Sequence, residues 1–85
     1  NFWMEGLQIA EKENLQDLIP VFYNNIGNIL YIFNEPELGV QCYKKGIEKA
    51  KDIGNWEDYR KILINITMQL VKMINWIKLK NIICF

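Results

Sequence analysis

The chain has 85 residues, of which 51% are hydrophobic and 24% charged, and its ten basic and ten acidic residues give a formal net charge of zero. This length allows one small domain at most. Neutrality without a basic stripe argues against direct nucleic-acid binding, and the absence of His removes the commonest general base and metal ligand. We therefore expect no enzyme activity, cofactor or metal within these residues.

The first predicted helix covers residues 2–13 and ends at Asn14, because asparagine tolerates the left-handed conformation that follows many helices. The next segment contains Pro20, which is unfavourable inside a helix that begins at Leu15. It is acceptable in the first turn of a helix capped by Asp17. We therefore predict the later start for the second helix.

Two apolar patterns at helical spacing lie on either side of a short turn. The residues before the turn are Ile26, Ile29, Leu30 and Phe33. Those after it are Val40, Tyr43, Ile47 and Ala50. Asn34 is predicted to cap the third helix, with Pro36 in its first turn. The short turn makes the two helices an antiparallel hairpin, and a close approach between them is favoured by Gly27, Gly39 and Gly46.

The fourth predicted helix begins at Asn55, which caps it, while Glu57 and Asp58 lie near the positive end of the helix dipole. The helix continues at least to Ile74. Two alternatives remain for residues 76–85, which either prolong this helix or begin another one.

An internal repeat of about forty residues relates the parts of the chain. One pair of segments aligns Trp3, Gly6, Leu7 and Ala10 with Tyr43, Gly46, Ile47 and Ala50. A second pair aligns Tyr23, Asn25, Ile26, Leu30 and Phe33 with Leu63, Asn65, Ile66, Leu70 and Met73. The single domain 1–85 is thus divided into the second helix of one repeat (1–14), one full repeat (15–54), and the first helix and start of the next (55–85).

These residues resemble the tetratricopeptide repeat (TPR) family. The first helix of its signature is matched by Tyr23, Ile26 and Gly27, and the second helix is matched by Gly39, Tyr43 and Gly46. The period exceeds the usual 34 residues, glycine replaces the usual alanine twice, and no proline closes the second helix. A longer period is similar to that of bacterial sensory and regulatory TPR proteins. The resemblance implies an all-α fold of antiparallel hairpins, stacked as an α-solenoid of about two repeats and four or five helices.

The resemblance also implies a concave groove for a peptide or protein, lined by the first helices of successive repeats. It places on this face Asn24, Asn28, Tyr31 and Ile32, and one repeat later Ile64, Met68, Val71 and Lys72. Asn28 is the leading candidate, because its amide both donates to and accepts from a peptide backbone. The alternative is that these asparagines are exposed polar positions, or, for Asn25 and Asn65, that they bond to a neighbouring helix.

Other conspicuous residues have structural alternatives. Cys42 and Cys84 are too isolated for a zinc site and favour a reducing, cytoplasmic compartment, and Cys42 is interpreted as a packing residue. The three tryptophans are either anchors for a partner or part of the packing between repeats, namely Trp3, Trp56 and Trp76. Lysines interrupt the apolar segment 62–85, so we expect no membrane span.

We therefore expect a protein- or peptide-interaction module of a TPR array, from a bacterial signalling or transcription regulator. The alternative is a structural spacer or self-association segment without a ligand of its own; an enzyme domain outside these residues is a third. Both ends of the chain are apolar, unlike the polar outer face of a terminal repeat, so we expect a fragment of a longer array. A fragment this small is expected to associate with itself or to depend on neighbouring repeats.

Overall fold

The computed structural model describes residues 2–83, with side chains from Met4 onwards, and this part of the chain is all-α, as predicted. The elements are α1 (Phe2–Lys12), a short 3-10 helix (Gln16–Leu18), α2 (Ile19–Ile32), α3 (Pro36–Asp52) and α4 (Trp56–Ile83). Residues 2–83 contain no strand. A break at residues 33–35 separates α2 from α3, as the predicted hairpin requires.

The first three α-helices end in the same way. Each is followed by a residue in the left-handed conformation, namely Asn14 (φ 58°), Asn34 (φ 62°) and Gly54 (φ 74°). The next backbone N–H then donates to the carbonyl five residues earlier, over N···O distances of 2.7–2.8 Å. These closures satisfy carbonyl groups that would otherwise lack a partner at the helix end. The predicted left-handed role of Asn14 is therefore confirmed.

The later start of α2 is confirmed, but the caps of α2 and α3 differ from the prediction. Asn34 closes α2 and does not cap α3, and the residue that precedes α3, Glu35, forms no cap hydrogen bond through its side chain. Leu18 precedes α2, so the cap predicted at Asp17 is also wrong. Both helices have a proline in the first turn, as predicted, where it removes an unpaired N–H group and fixes a helical φ.

Asn55 caps α4 as predicted. Its side-chain Oδ1 accepts a hydrogen bond from the backbone N–H of Asp58 at 3.1 Å, and its Nδ2 donates to Asp58 Oδ2 at 2.8 Å. The two residues therefore satisfy one another at the helix start, where the negative carboxylate also favours the positive end of the dipole.

The hairpin of α2 and α3 depends on two facing glycines. A Cβ atom added at Gly27 would lie 2.7 Å from ring carbons of Tyr43 and 3.1 Å from the carbonyl oxygen of Gly39. A Cβ atom added at Gly39 would lie 3.1 Å from the carbonyl oxygen of Gly27. The helix backbones approach too closely for any larger residue without movement, which confirms the predicted close approach.

The core lies on both sides of α2. Leu7 and Ala10 of α1 pack against Ile19 and Ile26 of α2, and partly buried residues surround them, including Cys42. The interpretation of Cys42 as a packing residue is confirmed. On the other side of the hairpin, Ile62 of α4 is 1% exposed, and its Cδ1 would lie 3.0 Å from a Cβ atom added at Gly46 of α3.

α4 continues without a break to Ile83, so the described residues after Ile74 prolong the fourth helix. The left-handed residues Asn14, Asn34 and Gly54 are each twenty residues apart, and the next position in this series is Ile74. A β-branched side chain disfavours that conformation, so the helix does not end there. Every residue from Leu70 to Ile83 is exposed, and we call this segment the α4 extension.

The 28 residues of α4 span about 42 Å at about 1.5 Å per residue. By length and composition alone this helix could cross a membrane: an 18-residue window has a mean hydropathy of 1.2 and is 6% buried. Those criteria do not test the expected absence of a membrane span, which stays a prediction.

Candidate functional site

Asn24 lies at the contact between α2 and α4. Its Oδ1 accepts a hydrogen bond from Nδ2 of Asn65 at 2.8 Å, and both side chains are half-buried. The contact joins positions 41 residues apart, so it fixes the register between the two helices. Asn65 therefore bonds to a neighbouring helix, as the sequence suggested, with Asn24 as its partner.

Asn28 is engaged inside the protein. The fully buried Tyr43 of α3 donates a hydrogen bond from its hydroxyl to Asn28 Oδ1. Burial, together with the nearby Tyr31, raises the pKa of Tyr43 to about 12, and a hydrogen bond with Gln69 of α4 partly offsets this rise. The Asn28 oxygen thus joins α2 to α3, which leaves the amide N–H groups as the part of this side chain that can bind a ligand.

Tyr31 presents an unpaired hydroxyl. Its ring stacks on that of Tyr43 with centroids 5.7 Å apart and an angle of 23° between the rings. The hydroxyl oxygen is buried and has no hydrogen-bond partner among the described residues, and burial raises the pKa of the group. A buried polar group without a partner costs about 1–3 kcal/mol, so this atom favours an added hydrogen-bond partner.

The Tyr31 side chain lines an open cavity of about 350 Å³, which we call the notch. The notch lies between the turn that joins α2 to α3 and the beginning of the α4 extension. Its lining residues are Tyr31, Asn34, Pro36, Gln69, Lys72, Met73, Trp76 and Ile77. This lining combines an apolar wall with hydroxyl and amide groups and one exposed ammonium group, and it includes no acidic residue.

The eight residues predicted for the concave face do not form one cluster, and two of them, Ile64 and Val71, are exposed outside the notch. Tyr31 and Lys72 meet in the notch, whereas Asn24 and Asn28 form the hydrogen bonds between helices described above. Ile32 is 78% exposed and Met68 is 52% exposed, and neither lines the notch.

Sequence reasoning missed the contribution of Gln69, Met73, Trp76 and Ile77 to this surface. Their spacing of three or four residues would have placed them on one helix face with Lys72. That inference required α4 to continue through Trp76, and the sequence left this alternative open.

The two tryptophans of α4 are exposed. Trp56 is 50% exposed and meets Tyr59 edge to face at 5.3 Å, and Trp76 is 63% exposed with the Lys80 Nζ atom 5.3 Å from its ring centroid. Neither is buried by packing within the described chain, and the Trp3 side chain lies outside the described residues.

The described residues offer little for metal or thiol chemistry. They contain no group of three or more potential metal ligands. Burial raises the pKa of the Cys42 thiol, with a smaller opposing effect from Lys45, so the reactive thiolate is disfavoured. Cys84 lies outside the described residues.

Comparison of the chain with family models, curated proteins and solved structures finds no match.

Proposed function

We propose that this chain is a protein- or peptide-interaction module of a TPR-like solenoid, and that its ligand binds in the notch. The observation that carries this proposal is that Tyr31, whose buried hydroxyl has no hydrogen-bond partner among the described residues, lines an open, mostly apolar cavity. A ligand that supplies an acceptor to this hydroxyl removes the cost of leaving it unpaired.

The lining indicates the chemistry of the ligand. Met73, Trp76 and Ile77 offer an apolar surface for one side chain, and Lys72 supplies a positive charge beside it. The best fit is a peptide segment in which an apolar side chain lies next to a carboxylate or a free carbonyl group. Tyr31 then donates to the oxygen, and Lys72 stabilises its charge.

The helix arrangement supports the solenoid part of the proposal. α1 packs on α2 through Leu7 and Ala10, and their counterparts in the forty-residue repeat are Ile47 and Ala50 of α3, the helix that packs on α4. The resemblance to bacterial TPR proteins extends the proposal to a signalling or transcription regulator in the cytoplasm.

A peptide library displayed on phage tests the binding site directly. Peptides selected on the purified chain are synthesised, and their affinity is measured by fluorescence anisotropy for wild type, Tyr31→Phe, Lys72→Ala and Trp76→Ala. Each change should weaken binding by about tenfold, or about 1.4 kcal/mol. The matched controls Ile32→Ala and Met68→Ala change exposed residues outside the notch and should bind as wild type does. Selected peptides that are indifferent to all three notch changes would place the binding site elsewhere.

The second candidate is a structural spacer without a ligand. The internal hydrogen bonds of Asn24 and Asn28 favour it, because they assign two of the proposed groove residues to the joining of helices. A library that yields no specific peptide would support the spacer.

A further inference from the structure

One side of α4 lacks the cover that the equivalent side of α2 has. In α2, the side that meets α3 includes Tyr23, Gly27 and Tyr31, which approach Gly46, Gly39 and Tyr43. In the forty-residue repeat, the corresponding residues of α4 are Leu63, Thr67 and Val71. Leu63 is 39% exposed and Val71 is 50% exposed, and neighbouring Leu70 is 44% exposed.

This uncovered side of α4 is compatible with helix packing. Thr67 is its only polar member, and the Thr67 hydroxyl donates to the carbonyl oxygen of Leu63 in the same helix at 2.9 Å. A covering helix therefore does not leave this hydroxyl unpaired. We call the surface formed by Leu63, Thr67, Leu70 and Val71 the α4 face.

α1 also has an uncovered side, and this side corresponds to the side of α3 that meets α2. In the repeat, α1 is the counterpart of α3. Gly6 of α1 lies against Phe22 of α2, just as Gly46 of α3 lies against Ile62 of α4. Gly46 also approaches Tyr23 of the helix that forms a hairpin with α3. Three residues after Gly46, Lys49 lines a cavity together with Tyr23 of α2. Its counterpart on α1 is Ile9, which is 58% exposed. We call this side, with Ile9 and Glu13, the α1 face.

The charges of the two ends are complementary. All ten acidic residues lie at or before Asp58. The charged residues after Asp58 are all basic, namely Arg60, Lys61, Lys72, Lys78 and Lys80. Around α1 the balance is reversed, because one basic residue, Lys12, stands among Glu5, Glu11, Glu13 and Asp17. Two α4 helices would therefore repel each other, whereas α4 and α1 of different molecules attract.

We propose that the α4 face binds the α1 face of a second copy of this chain, in the way that α2 binds α3. Such a contact joins different surfaces of the two copies, so it is not closed by two-fold symmetry and repeats along a line of molecules. The contact does not use the lining of the notch, and it does not depend on the proposed peptide ligand.

Two blocked variants test this arrangement by sedimentation velocity. Leu63→Asp with Val71→Asp blocks the α4 face, and Ile9→Lys with Glu13→Lys blocks the α1 face by adding positive charge. Wild type should form species larger than a dimer as concentration rises, and each variant alone should be monomeric. An equal mixture should form dimers and nothing larger, because each variant retains the face that the other lacks.

The controls separate this contact from nonspecific association of exposed apolar residues. Ile32→Asp with Leu38→Asp changes exposed apolar residues of α2 and α3, and should associate as wild type does. If circular dichroism shows that the α4 variant has lost helix, the α1 variant decides alone: added to wild type, it should shorten the assemblies, because it binds through its own α4 face.

Three results would overturn the proposal. They are a wild-type chain that stays monomeric at its highest attainable concentration, a mixture of variants that forms no dimer, and assemblies that either blocked variant leaves unchanged. A monomeric chain that instead sediments with phosphatidylserine vesicles would assign the exposed apolar surface of α4 to a membrane.

Discussion

Tyr43 of α3 donates a hydrogen bond to the side-chain oxygen of Asn28 of α2, beneath the stacked ring of Tyr31. The Tyr43 side chain is fully buried, yet Gln69 of α4 is near enough to its hydroxyl to lower the pKa of the phenol. One phenol thus couples the hairpin to the next helix. Asn28, predicted from the sequence as a ligand-binding residue, has its oxygen assigned to this internal contact.

Removing either member of this pair should destabilise the fold. Tyr43→Phe and Asn28→Ala should each lower the free energy of unfolding by about 1–3 kcal/mol, since each leaves a partly or fully buried group without its partner. In a double-mutant cycle measured by urea unfolding, the two changes should couple by about 0.5–3 kcal/mol. Tyr59→Phe is the matched control and should have a smaller effect, because Tyr59 is only partly buried. Strictly additive losses would mean that the hydrogen bond does not form in solution.

Alkaline pH should unfold the chain through the same phenol. The pKa of Tyr43 is raised from 10.0 to about 12 in the folded protein, so the fold favours the protonated form. The resulting stability is fully present below pH 10, and it is lost as the pH rises towards about 12. Thermal unfolding at a series of alkaline pH values should show this fall, and Tyr43→Phe should make it shallower. A fall of the same steepness in Tyr43→Phe would assign it to other groups, including Tyr23 and Tyr31, whose pKa values are also raised.

Gly27→Ala should reverse the usual effect of alanine in a helix. Alanine normally stabilises a helix interior by about 1 kcal/mol relative to glycine. Here the new Cβ atom would lie 2.7 Å from the Tyr43 ring, so we expect a net loss of about 1–3 kcal/mol in urea unfolding.

Gly54 provides the comparison, because an added Cβ atom there meets nothing within 4 Å and the cost comes only from its φ of 74°. Gly54→Ala should therefore cost about 1–2 kcal/mol, and Gly54→Asn should cost less, because asparagine visits this conformation more readily. If Gly27→Ala proved stabilising, the close approach of α2 and α3 would be wrong.

Ile74→Gly should release the end of α4. Residues 75–83 are exposed and follow the last part of the helix that packs on the hairpin, so their helical state depends mainly on propagation from residues before them. Glycine costs about 1 kcal/mol in a helix interior and readily adopts a left-handed conformation. Amide hydrogen exchange should become faster at residues 75–83 and stay unchanged in α2 and α3. Ile74→Ala is the control, and its exchange should match wild type.

The sequence predicted the helices well because their apolar spacing is regular, and it predicted the hairpin because the turn between the two helices is short. Gly27 and Gly39 added the prediction of a close approach between them. It did not separate two roles of one residue type. Asn34 and Asn55 both precede helices, yet Asn34 closes the helix before it and Asn55 caps the helix after it. Asparagine suits both positions, so its identity alone could not decide.

The notch was harder to predict, because it joins residues from three elements. Tyr31 was assigned to the binding face, but the loss of hydrogen bonding at its hydroxyl results from the packing of α2 against α3. Trp76 reaches the notch only because α4 continues past Ile74. Burial of a single atom depends on tertiary contacts that apolar spacing does not encode. The length of the last helix depends on position 74, where Ile74 stands in place of a residue that readily ends a helix.

The left-handed residues at Asn14, Asn34 and Gly54 also make the chain modular. Their equal intervals mean that a second copy of residues 15–54, spliced in directly after Gly54, would begin and end at equivalent junctions. Such a duplication should lengthen the molecule by one hairpin while the flanking helices keep their present neighbours. A duplicated unit of half that length would put one helix of a hairpin where its partner belongs, so growth by whole pairs of helices is the route that this backbone permits.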